Sequence, residues 1–354
     1  MLAPSYLPAM TLEEYLGHIA SAHPHWRPLL DEGRLGRAGE VERLCALSNE
    51  FDSDRTGRGD SYRQAHRDPL VRWTGARRLL HLAAPRPAAG GGEVRLLDVL
   101  GGDGLLARAV AARPRESPDG LRVLTGDICG PMVGAALAHG LPAVRQSADR
   151  LMLADRTVDA VLLAYGTHHI PAAVRPTAVA EAVRVLRPGG RVVVHDFEPH
   201  SPMADFFRTV VDRHGATGHD YPHLTRAELL DLFAPHPLTP RLLDVYDPVT
   251  VHAATPEQAR AALVTYLADT YGLTDHFTGL GTEAAWHLIT TVFDHTAHLA
   301  ALPTPLTAPT RPLVRPATTG FVAELPRVAV VAVAGAGPAQ GPPGVPAGGA
   351  PGRQ

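Results

Sequence analysis

Lysine is missing from this chain altogether: all 33 basic residues are arginine, against 36 acidic residues, for a formal net charge of −3. The charges are spread along the chain, so no basic stripe suits a phosphate backbone and nucleic acid is not an expected partner. Cysteine is nearly absent. Cys45 and Cys129 alone exclude a disulfide framework and a thiolate zinc cluster, and they fit a reducing cytoplasm. No stretch reaches the roughly 18 apolar residues needed to span a bilayer, and the N-terminus lacks a basic segment followed by an apolar run. A chain that acts in the cytoplasm, away from membranes, is the expectation. Asparagine occurs once, while Ala, Gly and Pro abound; this reads as a GC-rich coding bias and carries no mechanism.

What is present is enough to build a core. At 354 residues and 45% hydrophobic the chain can fold as one large domain or two modest ones. From Thr11 to Ala84 apolar residues recur at helical spacing, and the stretch Pro85 to Gly92 cannot continue a helix, because Pro removes a donor and Gly costs backbone entropy. Residues 1–90 are therefore expected to form a helical cap or lid. From Glu93 to Glu198 short apolar runs alternate with helical stretches, the pattern of a doubly wound parallel sheet. The runs are Val94–Leu100, Leu121–Thr125, Ala143–Arg145, Val158–Tyr165 and Arg191–Phe197. A helix around Ala204–Asp212, another near Arg226–Phe233 and a strand over Arg241–Val251 complete an α/β domain at 91–254. Residues 255–302 read as a helical insertion, opened by the cap-and-proline signal Thr255-Pro256, before a final sheet strand within 303–334 over Phe321–Val333. The Gly/Pro/Ala-rich segment 335–354 is expected to be disordered.

Four local elements carry chemistry. In Leu96-Leu97-Asp98-Val99-Leu100-Gly101-Gly102-Asp103-Gly104 an apolar strand runs through a glycine turn into a helix, whose free amides can meet a ligand. In Gly126-Asp127-Ile128-Cys129-Gly130-Pro131-Met132 an acid stands at the end of the next strand, where a carboxylate can accept both hydroxyls of a ribose. The third is Gln146-Ser147-Ala148-Asp149, and the fourth is Arg187-Pro188-Gly189-Gly190, read as a stop between a helix and a buried strand.

In this order and spacing the four elements resemble class I S-adenosylmethionine-dependent methyltransferases, in particular the bacterial branch acting on quinones, sugars and natural products. The resemblance covers about residues 92–200. It implies a Rossmann-like, mostly parallel seven-stranded sheet with S-adenosyl-L-methionine as cofactor. It sets Asp98, Leu100, Gly101, Gly102 and Gly104 near the methionine part and Asp127 on the ribose, with Ser147, Ala148 and Asp149 at the adenine edge. Ile128, Met132 and Tyr165 complete the cofactor set. A nicotinamide-binding dehydrogenase would show G-x-G-x-x-G, which is absent. The family usually has Gly where this chain has Leu100, a side chain that could crowd the methionine carboxylate.

Methyl transfer from a sulfonium is an in-line displacement, so the protein must align acceptor and methyl and remove the acceptor's proton. Gly166-Thr167-His168-His169-Ile170-Pro171 follows the Val158–Tyr165 strand and brings two imidazoles to the cofactor crevice. The resemblance pairs such a His with an Asp at the end of the following strand, here Asp196. His168 or His169 as base, oriented by Asp196, is the catalytic expectation. His195, Asp196, Glu198, His200, His214, His219, Asp220 and His223 crowd one stretch, but their spacing matches no tight ligand motif and no metal is assigned from it. Asp52–Asp60 reads as a mobile flap or a solvated loop. The expected activity is methylation of a small, secondary-metabolite type acceptor, at oxygen first, with nitrogen, carbon and metal assistance open. A homodimer is compatible with it. The alternative is a methyltransferase fold serving as a cyclase or isomerase with a structural or lost cofactor, motivated by Leu100.

Overall fold

Along β10 (Val328–Gly335) consecutive apolar side chains serve two different cores: Ala329, Val331 and Val333 pack into one hydrophobic cluster, Val330, Ala332 and Ala334 into the other. β1 (Val94–Asp98) divides the same way at Leu96 and Leu97. Side chains alternate faces along a strand, so an unbroken apolar run is the signature of a strand buried on both sides. This computed structural model describes residues 5–47, 50–52, 58–84 and 92–335. The expected boundary at 85–91, most of the 52–60 loop and the tail beyond 335 lie outside the described residues.

The main sheet adds β2 (Leu121–Asp127), β3 (Ala143–Arg145), β4 (Val158–Leu163), β5 (Leu186–Asp196) and β6 (Thr239–Tyr246). Its seven strands run in the order β3-β2-β1-β4-β5-β10-β6. The first five are parallel, and β10 is antiparallel to both its neighbours. The order reverses at β1, so β1 and β4 diverge into their loops at a switch point where such sheets bind ligands. Helices cover both faces, which makes the fold the doubly wound, Rossmann-like sheet read from the sequence.

Before β1 come helices at Leu12–Ala22, Glu32–Leu35, Glu40–Ala46, Gly59–Ala65 and Trp73–Ala83. The first opens on a capping box in which Thr11 and Glu14 satisfy each other's backbone amides. It is tied to the short edge strand by Tyr15 Oη, which donates to the Ala143 carbonyl at 2.9 Å, while Tyr6 Oη donates to Arg145 O at 2.7 Å. An edge covered in this way offers no ladder to another chain.

Three expected elements come out differently. The expected strands at Arg241–Val251 and Phe321–Val333 each divide: β6 and β10 stay in the main sheet, whereas β7 (Val249–Ala253) and β9 (Phe321–Leu325) pair with β8 (Leu313–Pro316) in a second antiparallel sheet. Residues 303–334 thus supply two strands of that sheet as well as the final strand of the first. Pro248 and Pro326 stand at the two breaks, where a missing amide donor interrupts the ladder. Pro188-Gly189-Gly190, expected to be a turn, lies inside β5 as a bulge. The β4 register jumps from Val158↔Leu186 to Ala160↔Arg191, and Gly189 takes φ +83°.

The paired breaks are locked to each other. Asp247 N–H donates to Arg327 O at 2.9 Å, and Arg327 returns Nε to Asp247 O and Nη2 to Asp247 Oδ2, both at 2.8 Å. Both residues are buried, and a Cβ on Gly75 in the helix alongside would collide with the Asp247 carboxylate. The helices at Pro256–Tyr271, Thr274–Leu280, Thr282–Val292 and Thr296–Ala301 follow, the first packed on the second sheet. Among the described residues no helix is long and apolar enough to cross a membrane.

Candidate functional site

Where β1, β2 and β4 end, a cavity of about 480 Å³ opens between the sheet, the N-terminal helices and the helix Pro256–Tyr271. Most residues singled out from the sequence line it: Leu100, Gly102, Asp127, Ile128, Met132, Ser147, Ala148, Asp149, Tyr165, His168 and His169. Asp98, Gly101, Gly104 and Asp196 stand behind its wall. The other side is built from distant segments that no local motif announced, among them Glu50, Arg58, Arg72, Phe207, Tyr271 and Arg327.

On the β1–β3 side the turn divides its glycines by task. Gly102 has φ +57° and open space where a Cβ would project, so its backbone faces the cavity bare. Gly101 is held by crowding, since a Cβ there would lie 2.9 Å from Asp98 Oδ2, and Gly104 combines φ +84° with the Leu141 side chain against it. Leu100 is not among the residues of positive φ, so this turn does not need glycine at that position. The Asp127 carboxylate accepts Gly102 N–H at 2.8 Å through Oδ2 and Cys129 N–H at 2.9 Å through Oδ1. A carboxylate has about four acceptor positions, so capacity remains toward the cavity. Burial pushes Asp127 up to about 6, with the amide hydrogen bonds pulling the other way, so it is mainly ionised at neutral pH. Asp98, buried and next to the Asp127 charge, is pushed up to about 8 and keeps its proton. Arg43 reaches in from the N-terminal helices to donate to Ser147 Oγ at 2.9 Å.

A nucleoside-bearing cofactor suits this donor set. A glycine backbone that a ligand can approach closely, an ionised carboxylate with free lone pairs at the end of β2, and the Ser147–Asp149 segment all share one cavity.

The opposite side is organised by imidazoles. His168, in the single turn Thr167–His169 after β4, has Nδ1 2.8 Å from Asp196 Oδ1 at the end of β5, and its Nε2 is buried with no partner. Burial lowers the pKa of His168 despite that carboxylate, and Asp196 is held well below the usual carboxylate range, against its own burial, by the His168 and His223 rings hydrogen-bonded to it. His223 Nδ1 approaches the same Asp196 oxygen at 3.2 Å. His169 Nδ1 lies 3.3 Å from Glu50 Oε1, and its ring packs on Tyr221 with centroids 4.3 Å apart. His219 stacks on Phe207 at 3.9 Å, and burial lowers its pKa to about 2. His195, also in the expected cluster, turns away from it: buried in β5, its Nε2 lies 3.5 Å from Asp247 Oδ2. His214 packs on His276 instead, with centroids 3.9 Å apart.

Buried cations complete the wall. Arg58 donates to Glu50 Oε1 at 2.9 Å and to the Thr270 carbonyl, which ties the N-terminal segment to the helix Pro256–Tyr271. Arg72 donates to Tyr266 Oη at 2.8 Å and sits 5.3 Å over the Tyr165 ring. Tyr165 has φ +59°, a region costly for a residue with a Cβ. Its hydroxyl, 3.1 Å from Asp247 Oδ1, and Arg72 against its ring hold it there.

Comparison with known proteins agrees with this arrangement. Residues 97–194 match the family described as a methyltransferase domain. The chain is 34% identical over 148 residues to the ubiquinone/menaquinone biosynthesis C-methyltransferase UbiE of Syntrophotalea carbinolica, covering 40% of this chain and 60% of that protein. It is 35% identical over 114 residues to the demethylmenaquinone methyltransferase of Beutenbergia cavernae, covering 32% and 44%. The chain therefore spans about half the length of these curated relatives. Among solved structures, YcgJ of Bacillus subtilis is 16% identical, with a TM-score of 0.43 over 73% of this chain and 97% of that one. The motif order, the sheet with its antiparallel penultimate strand and the family match agree: the chain carries a class I S-adenosylmethionine-dependent methyltransferase domain.

Proposed function

We propose that this protein transfers a methyl group from S-adenosyl-L-methionine to a small hydroxylated acceptor held in the cavity. The observation that carries the reading is one pocket with two chemically distinct walls: Asp127 and Ser147–Asp149 on one, and the Asp196-backed His168 on the other. S-adenosylmethionine, when bound, supplies a sulfonium methyl open to in-line displacement. Asp127 accepts the ribose hydroxyls, Gly102 lets the methionine part approach the backbone, and Ser147, Ala148 and Asp149 border the adenine. Asp98, behind the turn, packs so closely on Gly101 that only a residue without a Cβ fits there. The acceptor's hydroxyl faces His168 Nε2, which takes its proton while Asp196 fixes the tautomer and balances the imidazolium. The enclosing arginines and aromatic rings exclude water from the reacting atoms.

Removing that proton activates oxygen directly, and it also activates a carbon conjugated to the oxygen. Oxygen is the first acceptor proposed. Carbon is the second, supported by the C-methyltransferase named in the relative at 34% identity. The test is incubation of clean protein with methyl-deuterated S-adenosylmethionine and a panel of phenolic and enolic acceptors. Mass spectrometry is expected to find the label in the product, and NMR to locate it on oxygen or carbon. Loss of calorimetric binding to both S-adenosylmethionine and S-adenosylhomocysteine would refute the reading, and so would turnover without label transfer.

A further inference from the structure

Around the acceptor's side of the cavity the histidines are more numerous and less satisfied than proton transfer requires: His168 and His169 line it, and His219 packs against both. His168, His169 and His219 each bring one ring nitrogen within 4.8 Å of the others. Their ring centroids are 4.6, 5.1 and 5.2 Å apart. His168 and His219 are more than nine-tenths buried, and the Nε2 of each has no hydrogen-bond partner. Leaving a buried polar atom without a partner is costly, and here two such ring nitrogens sit in one trio.

Their backing is equally specific. The Nδ1 of His168 is turned to Asp196 and that of His169 to Glu50. A carboxylate behind one ring nitrogen fixes the tautomer that offers the other as a lone pair, the usual support of metal-bound imidazoles. His223 braces Asp196 from a third side. A second trio, His168, Asp196 and His223, is this backing itself, since the Nδ1 atoms of both rings already point at one Asp196 oxygen. The nearby guanidinium charges are answered by carboxylates, Arg58 by Glu50 and Arg175 by Glu228.

We infer that His168, His169 and His219 bind one divalent transition-metal ion, leaving an open coordination position toward the cavity for an oxygen donor of the acceptor. Three imidazoles with an open fourth position form a ligand set suited to zinc or ferrous iron. Nitrogens bound tetrahedrally at about 2.0–2.1 Å lie about 3.4 Å apart, so small side-chain rotations close a set that already lies within 4.8 Å. Two of the three ligands, His168 and His169, line the proposed acceptor pocket, so the inference rests on the reading of that pocket and alters one step in it. With the ion bound, the His168 lone pair is a ligand, and the acceptor's hydroxyl gives its proton to bulk solvent as the acceptor enters and its oxygen joins the ion, before the methyl is transferred. The acceptor class narrows to small molecules with an exposed hydroxyl, enol or oxo group able to reach a metal.

The test uses the full chain, stripped with a chelator and titrated with cobalt(II). One equivalent is expected to bind and develop the visible absorption bands of a low-coordinate, nitrogen-ligated ion. His219→Ala is expected to weaken binding by more than about 100-fold, beyond the roughly 10–100-fold typical of losing a supporting carboxylate, as in Asp196→Asn. X-ray absorption of the zinc-loaded wild type is expected to find three nitrogens at about 2.0–2.1 Å, a result that does not depend on any variant folding. A cobalt spectrum unchanged from that of the free ion, equal affinity in His219→Ala, or a zinc shell without imidazoles overturns the inference. Calorimetry of the metal-free protein with S-adenosylhomocysteine separates the two readings: binding there with no cobalt site sinks the ion alone, whereas a cobalt site without cofactor binding sinks the methyltransferase reading.

Discussion

The two walls of the cavity were assembled in opposite ways. The β1–β3 wall is made of residues close in sequence to strand ends: Leu100 and Gly102 follow β1, Asp127 ends β2, and Ser147–Asp149 follow β3. The imidazole wall joins Glu50, His168 and Arg327, with Asp196 and His219 packed behind His168, drawn from the N-terminal cap, two strand ends, a loop and the crossing between two sheets. A wall built by strand ends carries its geometry in local motifs. The other wall depends on the packing that brings separate segments to one place, so its chemistry can change without disturbing the cofactor motifs.

The sharpest way to break this contrast is at the sheet crossing. Asp247→Ala leaves the Arg327 guanidinium buried without its carboxylate. Removing one partner of a buried pair costs about 3–5 kcal/mol, which urea denaturation is expected to register as a lower midpoint. The same variant is expected to disturb Tyr165 and the imidazole wall more than Asp127.

Next in size is a crossed pair of substitutions. His168→Ala is expected to lower turnover by about 10²–10⁴ while calorimetric affinity for S-adenosylhomocysteine stays within about threefold of wild type. Asp127→Ala is expected to do the converse first, weakening that affinity by about 1.5–3 kcal/mol, the worth of hydrogen bonds to a charged group. Equal losses of affinity in both variants would dissolve the division into two walls.

A pH scan distinguishes the walls without ligand. Asp98 is pushed up to about 8 by burial and by the Asp127 charge. Between about pH 4, where the unfolded chain releases this proton, and pH 8, the folded chain retains it, so this contribution to stability falls as pH rises. The melting temperature of Asp98→Asn is expected to decline less than that of wild type from pH 5 to 8. Parallel profiles would show that Asp98 does not hold its proton.

The smallest effect is expected at Leu100→Gly. The residue does not need positive φ, so glycine there relieves no strain and costs about 0.5–1 kcal/mol in backbone entropy. Cofactor affinity is expected to change less than threefold. A large gain would mean that the leucine side chain obstructs the cofactor, which would favour a protein that no longer delivers the methyl.

Much of this molecule could be read before it was folded. The strand runs from Val94 onward, the glycine turn, Asp127 and the pairing of His168 or His169 with Asp196 all follow from residues whose neighbours in sequence are their neighbours in function, or from a resemblance resting on such residues. The second sheet was not read, although Pro248 and Pro326 marked both breaks, because neither proline indicates which sheet the chain enters next. The crowd of His and acid after β5 gave no ligand spacing because only part of it converges: His219 and His223 come back to Asp196 and His168, while His195 and His214 go elsewhere.

The sequence by itself determined the strands of the main sheet and the glycine and acid motifs at their ends, since period-two burial, glycine conformations and strand-end loops are local properties of the chain, and its resemblance left His168 or His169 to meet Asp196. Only the tertiary structure decided that His168 rather than His169 meets Asp196, that Glu50, His169 and His219 belong beside it, that Arg327 closes on Asp247, and that Gly102 is the glycine left bare to the cavity. Those outcomes depend on packing between segments tens to hundreds of residues apart, and no local pattern encodes a contact of that range.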